Sequence, residues 1–315
     1  MSYNLISAEK EQGTLAFTLA QPVSLGRIVA GKVLLRAFAL TGFVIVISAV
    51  ALTAAGIHVL AHDALDAWLT WVVVVTVYGT FWFAAAIGVN ALGKSSATNA
   101  VAVAGIWLTF VVLIPSLINA TASAFYPVPS RIEMIQAMRA ATKEATSRGA
   151  MLLARYMEDH PELAAPGTVN AADASANTAT VQMETDRLIQ PVLDAYDRQS
   201  ALQQNIVDRF RFLSPAILVQ GTLNDLSGSS AERYKYFLSQ VDGYLGQWRS
   251  FFYPRVFAQT LFSSAELAKA PRFEYQEEPA TRRMSRIAAA VAAVLAMAVL
   301  AGGAALISLR RYRVA

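Results

Sequence analysis

The chain has 315 residues, 55% of them hydrophobic and only 15% charged, whereas soluble domains carry roughly 25% charge. The charges are missing in blocks: residues 37–57, 67–89, 100–118 and 287–309 contain no Asp, Glu, Lys or Arg, and each is close to the ~20 residues a helix needs to cross a bilayer. That pattern excludes a soluble enzyme, a nucleic-acid-binding module and a disordered tail, and it predicts an all-α integral membrane protein with four transmembrane helices.

The sequence pI of 9.3 has a membrane explanation. Residues 120–286 hold 18 basic and 18 acidic side chains, so the whole net charge of +4 comes from the remaining 8 basic and 4 acidic ones. The absence of cysteine removes disulfides, thiolate metal sites and thiol nucleophiles.

Residues 1–36 form the first segment, carrying Lys10, Arg27, Lys32 and Arg36. It has no single apolar core of signal-peptide type, so the first span is expected to act as its own insertion signal. Residues 37–118 hold spans one to three. Their short loops differ in charge: His58 to Asp66 carries Asp63 and Asp66 and no base, whereas the loop before span three carries Lys94. Arg310, Arg311 and Arg313 follow span four. Lys and Arg of short loops stay in the cytoplasm, which predicts both termini inside, residues 119–286 outside, span four at 287–309 and a tail at 310–315. Arg282, Arg283 and Arg286 run against the rule, but they belong to a long translocated segment where charge counts for little.

The 119–286 block is expected to be helical. Ser130 and Glu133 have capping-box spacing, opening a helix to about Tyr156. Residues 163–180 read as a loop, with Pro166, Gly167, Asn170 and Asn177. A second helix follows, with Pro191 at its kink or start. A shorter one runs from Pro215 to near Gly228, and another starts after Ser230. Pro271 to Pro279 reads as extended. In span four 12 of 23 residues are Ala or Gly, which predicts close packing against another helix. In span three Pro115 predicts a bend.

Three tempting motifs have plainer accounts. Gly88 to Ser95 fits G-x-x-x-x-G-K-[ST], but a phosphate loop follows a buried strand and needs a partner acid for magnesium; here a span precedes it and no acid lies between Asp66 and Glu133. Leu226 to Ser230 is similar to an ABC ATPase signature loop, yet a helix C-cap at Gly228 and an N-cap at Ser230 explain it. His58, His62, Asp63 and Asp66 could ligate zinc or copper, and are read as a short solvated loop.

Two stretches carry a resemblance. Glu9, Lys10, Glu11, Gln12, Gly13, Thr14, Leu15, then Leu19 to Ser24, then Gly31 and Lys32, resemble the cytoplasmic segment of type 2 ABC transporter permeases. Leu213 to Ala216, Gln220, Tyr244, Trp248, Arg249, Phe251, Phe252 and Pro254 resemble the branch with a large extracytoplasmic helical insertion. The resemblance implies the membrane subunit of a bacterial ABC exporter in the cytoplasmic (inner) membrane. It would have no ATPase site, metal or cofactor of its own, ATP being bound by a separate ATP-binding subunit, and would pair with a second permease copy or a homologous permease. It also implies that Glu9, Glu11, Gly13, Thr14, Pro22 and Ser24 couple the chain to that ATPase. Such permeases usually have six spans, so the first two are expected to be absent here. From the residues alone, 1–36 is a juxtamembrane helix. The competing expectation is a non-transporting membrane protein whose outer helical domain binds a partner or transmits force.

Overall fold

The computed structural model describes residues 4–14, 20, 24–59, 61–159, 174–258 and 260–310. Helices account for the regular structure among them, and four helices are long and apolar enough to cross a membrane. The chain divides into two compact units, one of residues 1–119, 208–230 and 278–315, the other of 120–207 and 231–277.

In the first unit a short helix, α1 (Ser7–Glu11), precedes α2 (Leu25–Ala54) and α3 (His62–Asn90). The third apolar helix is built in pieces: α4 (Ser96–Leu108), a π turn at Thr109–Leu113, and α5 (Ile114–Phe125). Pro115, where the sequence predicts a bend, lies two residues after this widened turn. Helices α2 and α3 run past the charge-free blocks, because Arg27, Lys32, Arg36, Asp63 and Asp66 interrupt the apolar run without interrupting the backbone ladder. Trp68 Nε1 donates to Ser48 Oγ at 3.1 Å, joining α2 to α3.

Still in this unit, α9 (Pro215–Ser227) and α12 (Ala280–Arg310) pack on α3. The small-residue content of α12 does what the sequence predicted. A Cβ on Gly302 would lie 3.9 Å from Ala84 Cβ, and one on Gly88 would lie 3.8 Å from Ala305 Cβ, so the α3 and α12 backbones approach closely. Leu218 of α9 is buried against Phe81, Val294 and Ala298. Helix α9, part of the 119–286 block in sequence, clusters with the apolar helices in the structure. Gly228 ends α9 in the left-handed region, φ 71°, as the C-cap reading required.

The second unit contains α6 (Arg131–Ser147), α7 (Gly149–Asp159), most of α8 (Ala174–Phe210), α10 (Ala231–Phe257) and α11 (Ser264–Leu267). The Ser130/Glu133 capping box is present. The single helix expected from Ser130 to Tyr156 is broken at Arg148. The break lets the chain approach α8 closely: a Cβ on Gly149 would meet Asn177 Oδ1 at 2.6 Å. Residues 174–180, expected in a loop, are helical, and the rest of that loop, 163–173, lies outside the described residues. Pro191 sits inside α8 rather than at its start. Leu153, Ala176, Ala179 and Phe257 form the buried core, with Tyr156 and Phe257 rings 4.4 Å apart. Residues 271–279 are extended, as read. They are pinned to α10 by Gln240, whose Oε1 accepts from Gln276 N at 2.8 Å and whose Nε2 donates to Gln276 O at 2.9 Å.

Candidate functional site

The polar chemistry of the first unit gathers where α1 meets the ends of the apolar helices. Its centre is Asn90, the last residue of α3, only 1% exposed. A buried primary amide is costly unless its donors and acceptor are used. Asn90 Oδ1 accepts from Leu5 N at 2.9 Å and Ile6 N at 3.4 Å, Nδ2 donates to Ala86 O at 2.8 Å, and Asn99 Nδ2 lies 3.5 Å from Oδ1. Those backbone N–H groups stand just ahead of α1, where a helix has no partner for them.

The same two residues supply an apolar plug. Leu5 and Ile6 are each 1% exposed and lie among Val29, Ala91 and Leu309. The plug therefore touches α2, the end of α3 and the end of α12 together. Burying two such side chains stabilises the docked segment by about 1.5–3 kcal/mol each.

Further polar contacts fix α1 in rotation. Glu9 pairs with Lys32 of α2 at 2.5 Å, and Lys32 Nζ also donates to Leu5 O at 3.1 Å. Glu11 Oε1 accepts from Ser96 N at 2.6 Å. Ser96 is the first residue of α4, so this carboxylate caps an orphan N–H at the positive end of that helix. Ser96 Oγ and Ser7 Oγ are 2.8 Å apart. Arg36 of α2 reaches Asn4 Oδ1 at 3.3 Å.

Gly13 turns the chain out of α1 with φ 70°. Gly13 N donates to Lys10 O at 3.2 Å and Thr14 N to Glu9 O at 3.0 Å, the paired bonds of a Schellman motif. The left-handed position is what demands glycine. Ser24 is the extended residue before α2 and makes no side-chain cap. Pro22 lies outside the described residues.

Of the residues expected to couple, Glu9, Glu11, Gly13 and Thr14 thus lie together on or just after α1. Both glutamates have partners within the chain, Lys32 for Glu9 and the Ser96 N–H for Glu11. Asn90, Asn99, Ser7 and Ser96 were missed. Asn90 had been absorbed into the phosphate-loop pattern, where the structure gives a helix end, a turn at Ala91–Leu92 and a loop, with a helix and no strand in front. No group of three His, Asp or Glu among the described residues is placed to hold a metal, and the side chains of His62 and Asp63 lie outside them.

Comparison with known proteins bears on the other unit. Residues 131–276 match the model of DUF3526, a domain of unknown function. The DUF3526 segment takes in α6 to α11 and leaves out all four apolar helices. It includes Ser214, Tyr244, Trp248 and Phe252, on which the second resemblance rests. No curated protein and no solved structure matches the chain.

Proposed function

We propose that the chain is the membrane-spanning permease subunit of a bacterial ABC exporter in the inner membrane, driven by a separate ATP-binding subunit. It works beside a second permease copy or a homologous permease. Both termini lie in the cytoplasm and the helices α6 to α8, α10 and α11 outside, following the Lys and Arg distribution of the short loops. The permease performs no covalent chemistry; ATP is bound and hydrolysed by the partner.

The observation that carries this reading is the docking of α1. One short helix is joined to α2 through Glu9–Lys32, to α3 through Asn90 and to α4 through Glu11–Ser96. A force applied to its exposed side, around Glu11 to Thr14, is passed to three apolar helices at once. That is the property required of an element that turns closure of an ATPase dimer into alternating access. Glu9 and Glu11 act here by holding α1 to the bundle, and Gly13 and Thr14 present the turn.

The test is co-expression of the tagged chain with the ATPase encoded nearest to it, followed by purification from membranes and assay of ATP turnover. Co-elution with turnover is expected, and Glu9→Ala with Glu11→Ala is expected to abolish its stimulation by substrate. A folded chain that neither co-elutes nor supports turnover overturns the reading. That result would favour a membrane-anchored DUF3526 domain that binds a partner or transmits force, a reading favoured by one observation: the match ends short of every apolar helix.

A further inference from the structure

Within the third apolar helix the π turn at Thr109–Leu113 sends the N–H of Ile114 to the carbonyl of Thr109, five residues back instead of four. At the same spacing the carbonyl of Phe110 would need the N–H of residue 115. Residue 115 is proline, which has none, and whose ring would clash with the carbonyl four residues back in a regular helix. Widening the turn relieves the clash and strands the Phe110 carbonyl. Inside an apolar run there is no water to satisfy it.

Ser214 supplies the missing donor. Its Oγ lies 2.6 Å from Phe110 O, although the two residues are 104 apart in sequence, and Ser214 is 0% exposed. The same Oγ accepts from Ile217 N at 3.4 Å as the N-cap of α9. One hydroxyl therefore donates to the third apolar helix and accepts from α9, using both of its roles.

The far end of α9 is tied as firmly. Arg286 of α12 forks onto Asp225, with Nη2 2.6 Å from Oδ1 and Nε 3.2 Å from Oδ2, and also holds Glu278 at 2.5 and 2.9 Å. Between these ties Leu218 is packed on α3 and α12. Helix α9 is a strut, fixed at one end to the middle of the third apolar helix and at the other to the start of the fourth.

We propose that the π turn at Thr109–Leu113 is a hinge in the third apolar helix and that the Ser214 hydroxyl is its latch, so that the state of the hinge and the position of α9 change together. The hinge has two arrangements because the Phe110 carbonyl has two partners to choose from. In the wide turn it takes the Ser214 hydroxyl; in a regular turn it takes the Ile114 N–H, and Ser214 is released. The regular turn restores the Pro115 clash but pairs the Phe110 carbonyl without Ser214, so the wide turn is the populated one and loss of the Ser214 bond narrows the gap between them. The device stands on this geometry alone and does not depend on the export reading.

The chain has no cysteine, so paired spin labels can be placed without background. Val101 and Leu117 flank the turn and are 74% and 65% exposed; sixteen helical steps put their backbones about 24 Å apart. Pulsed electron–electron distance measurements on the full chain in lipid nanodiscs read the hinge directly. The parent chain gives one narrow distribution. Ser214→Ala raises a second population by roughly tenfold, Ser214→Thr stays narrow, and Ser214→Ala with Pro115→Ala is narrow again, since residue 115 then has an N–H. The lost N-cap is common to the single and double variants, so rescue by Pro115→Ala isolates the hinge. A Ser214→Ala distribution as narrow as the parent, or a double variant as broad as the single, overturns the proposal. Should Ser214→Ala fail to fold, recovery of folded protein by Pro115→Ala supports it and continued failure overturns it.

Discussion

Replacing Asn90 by Leu should release α1 while leaving the helices behind it intact. The substitution keeps the branched shape and heavy-atom count of the side chain but removes the acceptor shared by Leu5 N and Ile6 N. Two buried N–H groups left unsatisfied cost about 1–3 kcal/mol each. The apolar plug opposes undocking with about 1.5–3 kcal/mol for each of Leu5 and Ile6. The two sums are comparable, so the docked segment loses most of the net stabilisation these residues give it and opens far more often, letting water reach its N–H groups. Ser7, 3% exposed and nearly isosteric with cysteine, is the reporter position. In Ser7→Cys the thiol should be slow to react with a maleimide, and adding Asn90→Leu should speed labelling by roughly 10–100-fold, the factor for 1.4–2.8 kcal/mol. An unchanged rate in a chain whose helical content is intact would refute the claim that Asn90 holds α1 down.

Gly13→Ala places a Cβ at φ 70° and should destabilise the turn after α1 by about 1–2 kcal/mol. Faster proteolytic cleavage near residue 13, with cleavage elsewhere unchanged, would register it. The carboxyl of Glu266 is drawn down to about 2 by the Ser263 backbone N–H, with smaller help from the Ser263 hydroxyl and Arg255. Since its folded value lies below the ordinary value of 4.5, the stability it confers is present above pH 4.5 and is lost as pH falls toward 2. An NMR titration of that carboxyl with a midpoint near 4.5 would contradict the α11 capping box. Gly88→Ala should be tolerated, because its Cβ would sit at an ordinary 3.8 Å from Ala305 Cβ, while Gly88→Leu should push α12 off α3 and lower the unfolding temperature in detergent.

The apolar helices were legible because a bilayer filters composition so strongly that charge alone marks them. Their true ends were not, since Arg27 and Arg36 stop an apolar run but not a hydrogen-bond ladder. Caps were readable where side-chain chemistry is local, at Ser130 with Glu133 and at Gly228. Features set by distant partners were hidden. The break before Gly149 answers the nearness of Asn177 on α8, and the grouping of α9 with the apolar helices answers Phe81 and Val294. Asn90 carried a signal, an amide closing a charge-free run, that a motif match obscured. The role of Ser214 had none, because nothing local links it to a carbonyl 104 residues earlier.

The packing also says which helices stay together if the first unit changes state. Helix α12 meets α3 through glycine and alanine along several turns, whereas Val29 is the buried side chain of α2 and lies at its α1 end. Backbones in such close contact lose many dispersion contacts for any small displacement. Motion started at α1 is therefore expected to be taken up by α2 and by the hinged third helix, with α3 and α12 as the fixed pair. Ala84→Cys with Gly302→Cys tests this: the Cβ atoms would be 3.9 Å apart, within the range a disulfide spans. The cross-link should form on oxidation and, on the export reading, leave ATP turnover with the proposed ATPase within about twofold, since about 0.4 kcal/mol is all that a rigid pair should lose. Inhibition on oxidation that reductant reverses would mean that α3 and α12 slide, and the moving part of the unit would have to be sought between them.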